Sequence, residues 1–341
     1  MDWNGKRVLV TGGAGQIGSH LVARLAAAGA DVSVADNLWR GHRENLAPGG
    51  VPAIDLDSRL HVVDLTDPAA CDIVTRDCDV VYHLADVVAG INYVFGNQFS
   101  LFNTNLRIDA NMLQAAVANR VPQYVYVGTA CSYPTDRQMD VSEGTPLFRE
   151  EEAYPAQPES SYGWSKLMGE YHAELAMNEG LMEVGLLRFH NVYGPHCEMS
   201  PAKSQVIPSL LRKALRYPLE PFDVWGSGRQ RRAFVYVSDA VDALVAVVER
   251  GMNRGVIQIG PDYSTSIREI AEEVVRVSGK NIRIHFDTSR PEGDLDRAAD
   301  YAKARELLDW APRVSIAQGL AQTYAWCAAQ LGEPQKQARR A

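Results

Sequence analysis

The sequence predicts an α/β protein: a doubly wound parallel sheet followed by a smaller mixed α/β domain. Three observations predict it. Short β-branched runs alternate with amphipathic helical stretches over residues 1–190, as a parallel sheet covered on both faces requires. The first of these runs stops at a glycine cluster that opens a helix. Beyond residue 191 the apolar runs are shorter, bounded by proline and less periodic, which marks a second and less regular unit.

Val8 to Val10 is the first strand, a short apolar run. Ile17, Leu21, Val22 and Leu25 follow at spacings of three and four, so one helical face is apolar and packs on that strand, and Gly29 ends the helix. Between them Gly12, Gly15 and Gly18 stand in Thr-Gly-x-x-Gly-x-x-Gly. A tight turn, a close backbone approach and close helix–strand packing each exclude a side chain at these points. The free N–H groups and dipole of the helix start favour an anion. Gly12, Gly15, Gln16, Ile17 and Gly18 are therefore candidates to hold a dinucleotide pyrophosphate. Asp36 closes the next strand, Asp31 to Asp36, where a carboxylate accepts ribose hydroxyls and repels a 2′-phosphate. Arg40 and Arg43 follow and could serve that phosphate, but the acid at the strand end favours NAD over NADP.

Leu60 to Val63 and Val80 to His83 are the next strands. Their ends, Asp64-Leu65 and His83-Leu84-Ala85, fall at the carboxyl edge of the sheet, where a cofactor crevice lies. Asp64 and Leu65 are candidates for the adenine side, with a capping role for Asp64 near the helix that starts around Asp67 as the alternative. A helix over 100–119 leads to the strand Tyr124 to Val127 and to Gly128-Thr-Ala-Cys-Ser-Tyr-Pro134. Tyr162 and Lys166 then share one face of a serine-capped helix. An ammonium beside a phenol lowers its pKa, so this tyrosine is expected to move a proton near neutral pH while the lysine also holds the ribose. The strand Val184 to Phe189 ends the first unit. Val235 to Val237 and Val256 to Ile259 are apolar β runs expected to return to its sheet.

Charge and cysteine content narrow the class further. The 42 acidic and 34 basic residues of the 341 leave a net charge of −8, without the basic footprint of a nucleic-acid binder. Five cysteines with no Cys-x-x-Cys pair suit a reducing compartment. No apolar run is long enough to span a bilayer and no metal site is expected, so a cytoplasmic protein without a cleaved signal is anticipated. Residues 332–341 are polar and basic and read as a frayed tail.

The glycine loop, Thr129, Tyr162 and Lys166 together resemble the extended short-chain dehydrogenase/reductase superfamily, in its NAD-dependent epimerase/dehydratase family, across nearly the whole chain. The resemblance is strongest to the GDP-mannose 3,5-epimerases. It is carried by Ala89-Gly-Ile-Asn-Tyr93, Ala130-Cys-Ser-Tyr-Pro134, Pro155-Ala-Gln-Pro158, Arg188-Phe-His-Asn-Val-Tyr-Gly-Pro195, Val224-Trp-Gly-Ser-Gly-Arg-Gln230, Pro291-Glu-Gly293 and the closing Trp310-Ala-Pro312. It implies a Rossmann domain over 1–190 with segments near 232–262 returning to it, a nucleotide-sugar domain over 191–331, and a homodimer through two long helices. It also implies an NAD-dependent isomerisation, in which the sugar is oxidised at C4 with Tyr162 as base, Lys166 beside it and Thr129 as hydroxyl partner. C3 and C5 are then acidified by the ketone and inverted. Cys131 matches one acid/base member. The other should be a lysine, but counting without gaps from Gly194-Pro195 reaches Gln205, with Lys203 the nearest lysine. Gly90, Ile91, Asn191, Gln205, Arg232 and Arg297 match substrate-binding positions, and Asp294 and Asp296 are expected to face water. Ala130-Cys131 stands where sugar 4,6-dehydratases carry Asp-Glu and nucleotide-sugar decarboxylases carry Glu, which disfavours both reactions. A 4-epimerase of another nucleoside diphosphate hexose or heptose, and a non-catalytic NAD-binding module, are the alternatives.

Overall fold

The computed structural model describes residues 1–142, 144–290 and 292–332; the expected tail beyond 332 lies outside the described residues. Seven parallel strands form the central sheet, in the order Val256–Ile259, Glu183–Phe189, Gln123–Thr129, Val80–His83, Arg7–Thr11, Asp31–Asp36 and Leu60–Val62. Arg7–Thr11 sits between the two directions of winding, so its carboxyl end opens a crevice between diverging connections. Alternate residues of each strand face opposite sides. Val8 and Val10 join the core under the helix Gln16–Ala27, while Leu9, Val81 and Tyr126 join the core under Gln98–Ala118 and Ser161–Asn178.

Two strands and a helix depart from the sequence limits in ways that matter. Gln123–Thr129 is longer than expected at its carboxyl end, which makes Thr129 the last residue of the strand. Leu60–Val62 stops one residue early, and the helix expected over 100–119 spans Gln98–Ala118. Val256–Ile259 does return to the main sheet, beside Glu183–Phe189. The other expected return does not: Phe234–Tyr236 pairs in parallel with Asn191–Tyr193 in a separate two-stranded sheet. All three of its residues are buried, so the apolar run is explained equally well by either sheet.

A second core gathers the helices Val206–Arg216, Ile267–Ser278 and Ile316–Leu331 around Leu211, Phe222, Val274 and Leu320. Ser266 and Ser315 begin the last two helices as capping boxes with Glu269 and Gln318. This core stands over the carboxyl edge of the sheet through the segment that follows Phe189. There, Gln16 Nε2 donates to the Gly194 carbonyl at 2.7 Å. Among the described residues no helix is long and apolar enough to cross a membrane, and no His, Cys, Asp and Glu cluster could hold a metal ion.

Candidate active site

The glycine turn is built by exclusion of side chains. Gly12 has φ +65°, and a Cβ there would lie 3.0 Å from the backbone of Ala85. At Gly18 a Cβ would lie 2.3 Å from the Gly12 oxygen. No side chain caps the helix that starts at Gln16, so its first N–H groups are available to an anion. Asp36, 7% exposed, fastens this turn: Ala14 N–H donates to Oδ2 at 3.0 Å and Leu38 N–H to Oδ1 at 2.8 Å. Each oxygen keeps a lone pair for a ribose hydroxyl. Of the two arginines that follow, Arg43 pairs with Asp57 at 2.9 Å, whereas Arg40 turns into the cleft and donates to the Val88 carbonyl at 2.8 Å.

Behind the turn a chain of hydrogen bonds fixes the strand ends. Thr11 Oγ1 accepts the N–H groups of Leu84 and Ala85 at 3.1 and 3.0 Å. Its own hydrogen is therefore directed at His83 Nδ1, 2.9 Å away, which leaves Nε2 to donate to Asp109 Oδ1 at 3.0 Å. Burial lowers the His83 pKa, in keeping with this neutral tautomer. Tyr126 OH donates to the other Asp109 oxygen at 2.7 Å.

One cleft runs from Asp36, Val63 and Leu65, past Gly12, Gly15, Gln16, Ile17 and Gly18, to Thr129, Cys131, Tyr162 and Lys166, and on to Asn191, Gln205 and Arg297. Asp64 does not line it. Its side chain alternates away from those of Val63 and Leu65 and accepts Thr66 N–H at 2.8 Å, while Asp67 caps the next helix. Gly90, Ile91 and Arg232 are also set back from its walls. Lys203 is held elsewhere: Nζ donates to the Trp39 carbonyl at 2.5 Å and lies 4.3 Å from the centre of its ring. Of the two candidates for the second acid/base position, the cleft receives Gln205, which sits at the start of Val206–Arg216 without capping it.

Tyr162 begins the helix Ser161–Asn178, with Ser160 Oγ accepting Gly163 N–H. A Cβ at Gly163 would lie 2.2 Å from the Cys131 carbonyl oxygen, so this glycine lets the helix start press on the Cys131 loop. Thr129 Oγ1 accepts Cys131 N–H at 3.2 Å. The phenol, however, is not activated as the four-residue spacing to Lys166 suggests. Burial raises its pKa well above the ordinary value, Asp86 and Cys131 add to that, and Thr129 and Arg40 oppose it. Lys166 does not offset that burial, because it takes another partner: Nζ lies 3.2 Å from Asp86 Oδ2 and 4.2 Å from the centre of the Tyr126 ring. Burial works against the ammonium, but Asp109 and Asp86 more than compensate and raise its pKa.

At the far end, Arg297 Nη2 donates to Cys131 Sγ at 3.3 Å and Nη1 to Gln138 Oε1 at 2.5 Å. Asp294 and Asp296 do not face water: they are 2% and 3% exposed. Asp294 stands 3.5 Å from Arg297, and Asp296 accepts Thr145 Oγ1 at 2.7 Å with Arg231 at 3.8 Å. Arginines packed this closely need buried counter-charges. Arg232 donates to the Arg231 and Asp294 carbonyls at 2.7 Å, and burial with the neighbouring Arg297 pushes its pKa down to about 10. Glu159 joins them, its carboxyl raised to about 7 by burial and by Asp294. Asp86, Glu159 and Gly163 were not singled out by the sequence. For Asp86 the available signal is a lone acid between apolar residues three positions past a sheet strand.

With the phosphate turn, Asp36 and the Tyr162 helix opening on one cleft, fold and site together define an enzyme that works with a dinucleotide. The chain belongs to the NAD dependent epimerase/dehydratase family, whose sequence profile matches residues 8–260. It is 29% identical over 331 residues to GDP-mannose 3,5-epimerase 1 of Oryza sativa subsp. indica, covering 97% of this chain and 84% of that protein. It is 32% identical over 333 residues to UDP-N-acetyl-alpha-D-glucosaminuronate decarboxylase of Bacillus cytotoxicus, covering 94% and 97%. Among solved structures, UDP-glucuronic acid 4-epimerase from Bacillus cereus, in complex with UDP-glucuronic acid and NAD, superposes with a TM-score of 0.79 at 28% identity, covering 95% of this chain and 99% of that one. NAD is thus the cofactor, and the Gly12 to Gly18 turn with Asp36 fits it. Gly18→Ala is expected to cost about 1–3 kcal/mol of stability by overpacking against Gly12 and to lower the NAD retained through gel filtration. NAD content and melting temperature equal to wild type would show that the turn has room to yield.

Proposed function

We propose that the protein is an NAD-dependent nucleotide-sugar epimerase that works through a transient 4-keto sugar, of the GDP-mannose 3,5-epimerase type. The observation that carries this reading is Cys131: its sulfur lines the cleft next to Thr129 and Tyr162, with the guanidinium of Arg297 as a fixed donor. NAD, when bound, supplies reversible acceptance of a hydride from the sugar C4. Tyr162 takes the proton of the 4-hydroxyl, and Thr129 orients the phenol for that transfer. A ketone at C4 acidifies the hydrogens on C3 and C5; Cys131 as base removes one of them, and a solvent water delivers a proton to the opposite face, which inverts that centre. Gln205, an amide, exchanges no proton at neutral pH and serves to bind the sugar. Arg297, which lines the cleft, suits the charge of a nucleoside diphosphate, and Arg232 stands behind it. In this reading residues 1–190 with 256–259 hold NAD, and 191–331 hold the sugar nucleotide.

A 4-epimerase of another nucleotide sugar is the second reading, favoured by Gln205 and by the tethering of Lys203 at Trp39. Proton NMR in deuterium oxide separates the two. With GDP-mannose, the first reading expects deuterium at C3 or C5. Cys131→Ser should lower that exchange by about 10²-fold or more, with the NAD content unchanged. Epimerised product without deuterium would establish the second reading instead.

A further inference from the structure

Asp86 has no role in the steps above, yet it lies in the cleft wall three residues past the strand Val80–His83. Its side chain is 5% exposed, and neither oxygen accepts a well-aligned hydrogen bond. A buried carboxylate in that condition is costly unless a cation compensates it. The cation is Lys166, 3.2 Å away and itself 4% exposed. We propose that Asp86 is a positioning residue of this active site: by taking Lys166 as its ion-pair partner it withholds the ammonium from Tyr162 and keeps that tyrosine a phenol until the cleft is filled.

The surroundings of both side chains carry the inference. Lys166 is influenced by Asp109 from the helix Gln98–Ala118, by Asp86 from beyond the end of one strand, by Glu170 from its own helix and by the Tyr126 ring, 4.2 Å from Nζ. Tyr162 lines the same cleft as Asp86, Cys131, Thr129 and Arg40, of which Asp86 and Cys131 disfavour its phenolate while Thr129 and Arg40 favour it. Asp86 bears on both, so a change there moves both partners. Its own carboxyl is raised to about 7 by burial, with Lys166 opposing. Removing its charge withdraws an anion that disfavours phenolate and frees a cation that favours it. Both effects lower the Tyr162 pKa.

The inference rests on Tyr162 being the base of the proposed reaction, but its test needs no sugar. Carbon-13 NMR of the tyrosine Cζ in the NAD-loaded protein, assigned with Tyr162→Phe, follows the ionisation of Tyr162 directly. In Asp86→Asn its midpoint should fall by about one pH unit or more. Asp86→Ala, which leaves no buried amide to satisfy, should shift it the same way, and Asp86→Glu should return it toward wild type. Once a turned-over sugar is known, the acid limb of kcat should move down by the same amount. A midpoint that stays put or rises in both Asp86→Asn and Asp86→Ala would overturn the proposal. Failure of every candidate sugar with the expected Cζ shift intact would overturn only the functional reading.

Discussion

Tyr162→Phe is expected to lower turnover by about 10²–10⁴-fold while leaving the fold and the NAD content as they are. The ring stays where it is, because its placement is set by Ser160 at the helix start and by the contact of Gly163 with the Cys131 loop. What is lost is the hydroxyl. Thr129 keeps its partner, the Cys131 N–H, so the loop that carries the sulfur is not released. The wild-type rate should also climb with pH across the neutral range, since burial holds the phenol above its ordinary pKa and the base form grows as pH rises. Tyr162→Phe should remove that dependence along with the activity. The checks are kcat over a pH series and bound NAD per chain. A variant within tenfold of wild type would mean that another group moves the proton from the sugar.

What could be read from the chain alone was what is local. Gly12, Gly15 and Gly18 reveal their turn because one backbone segment imposes all three exclusions, and Asp36 reveals itself by ending a strand. Tyr162 and Lys166 share a helical face as their spacing requires. The partners they choose are a different matter. Lys166 lies four residues from Tyr162 but takes Asp86, eighty positions upstream, because the strand Val80–His83 ends beside the helix. Cys131 and Arg297 meet across 166 positions. Asp294 and Asp296 look like a solvated acidic turn until three arginines are packed around them. Phe234–Tyr236 and Val256–Ile259 have the same apolar character, and only tertiary placement sends one to a separate pair and the other to the main sheet. Lys203 illustrates the limit most plainly. A lysine two positions from an expected site could reach it through a short loop shift, and the choice is made by Trp39, which captures it through space.

Glu170→Ala is expected to cost about 3–5 kcal/mol of folding stability, the largest single-residue effect on stability argued for this chain. Glu170 and Arg188 are 4% and 1% exposed and meet through two contacts, 2.6 Å to Nη2 and 3.2 Å to Nε. Arg188 also donates to the Glu150 carbonyl at 2.8 Å and lies 4.8 Å from the centre of the Tyr133 ring. Glu170 in turn presses on the backbone at Gly128, where a Cβ would come 2.8 Å from its carboxylate. The pair therefore joins the helix of Tyr162 and Lys166 to the strand Glu183–Phe189, to the strand end that carries Thr129, and to the loop beyond Cys131. Removing Glu170 alone leaves a buried guanidinium without its counter-charge, whereas replacing both partners by apolar residues of similar size does not. The double variant Glu170→Met, Arg188→Met should accordingly recover most of the stability lost by Glu170→Ala, as read from urea unfolding midpoints. It should not recover turnover in full, because the two Met side chains do not reproduce the hold on Gly128 and Tyr133 that places Thr129 and Cys131 in the cleft. A Glu170→Ala loss below about 1 kcal/mol would show that Glu150 and the Tyr133 ring suffice to hold Arg188, and the helix and the strand end would then be positioned independently.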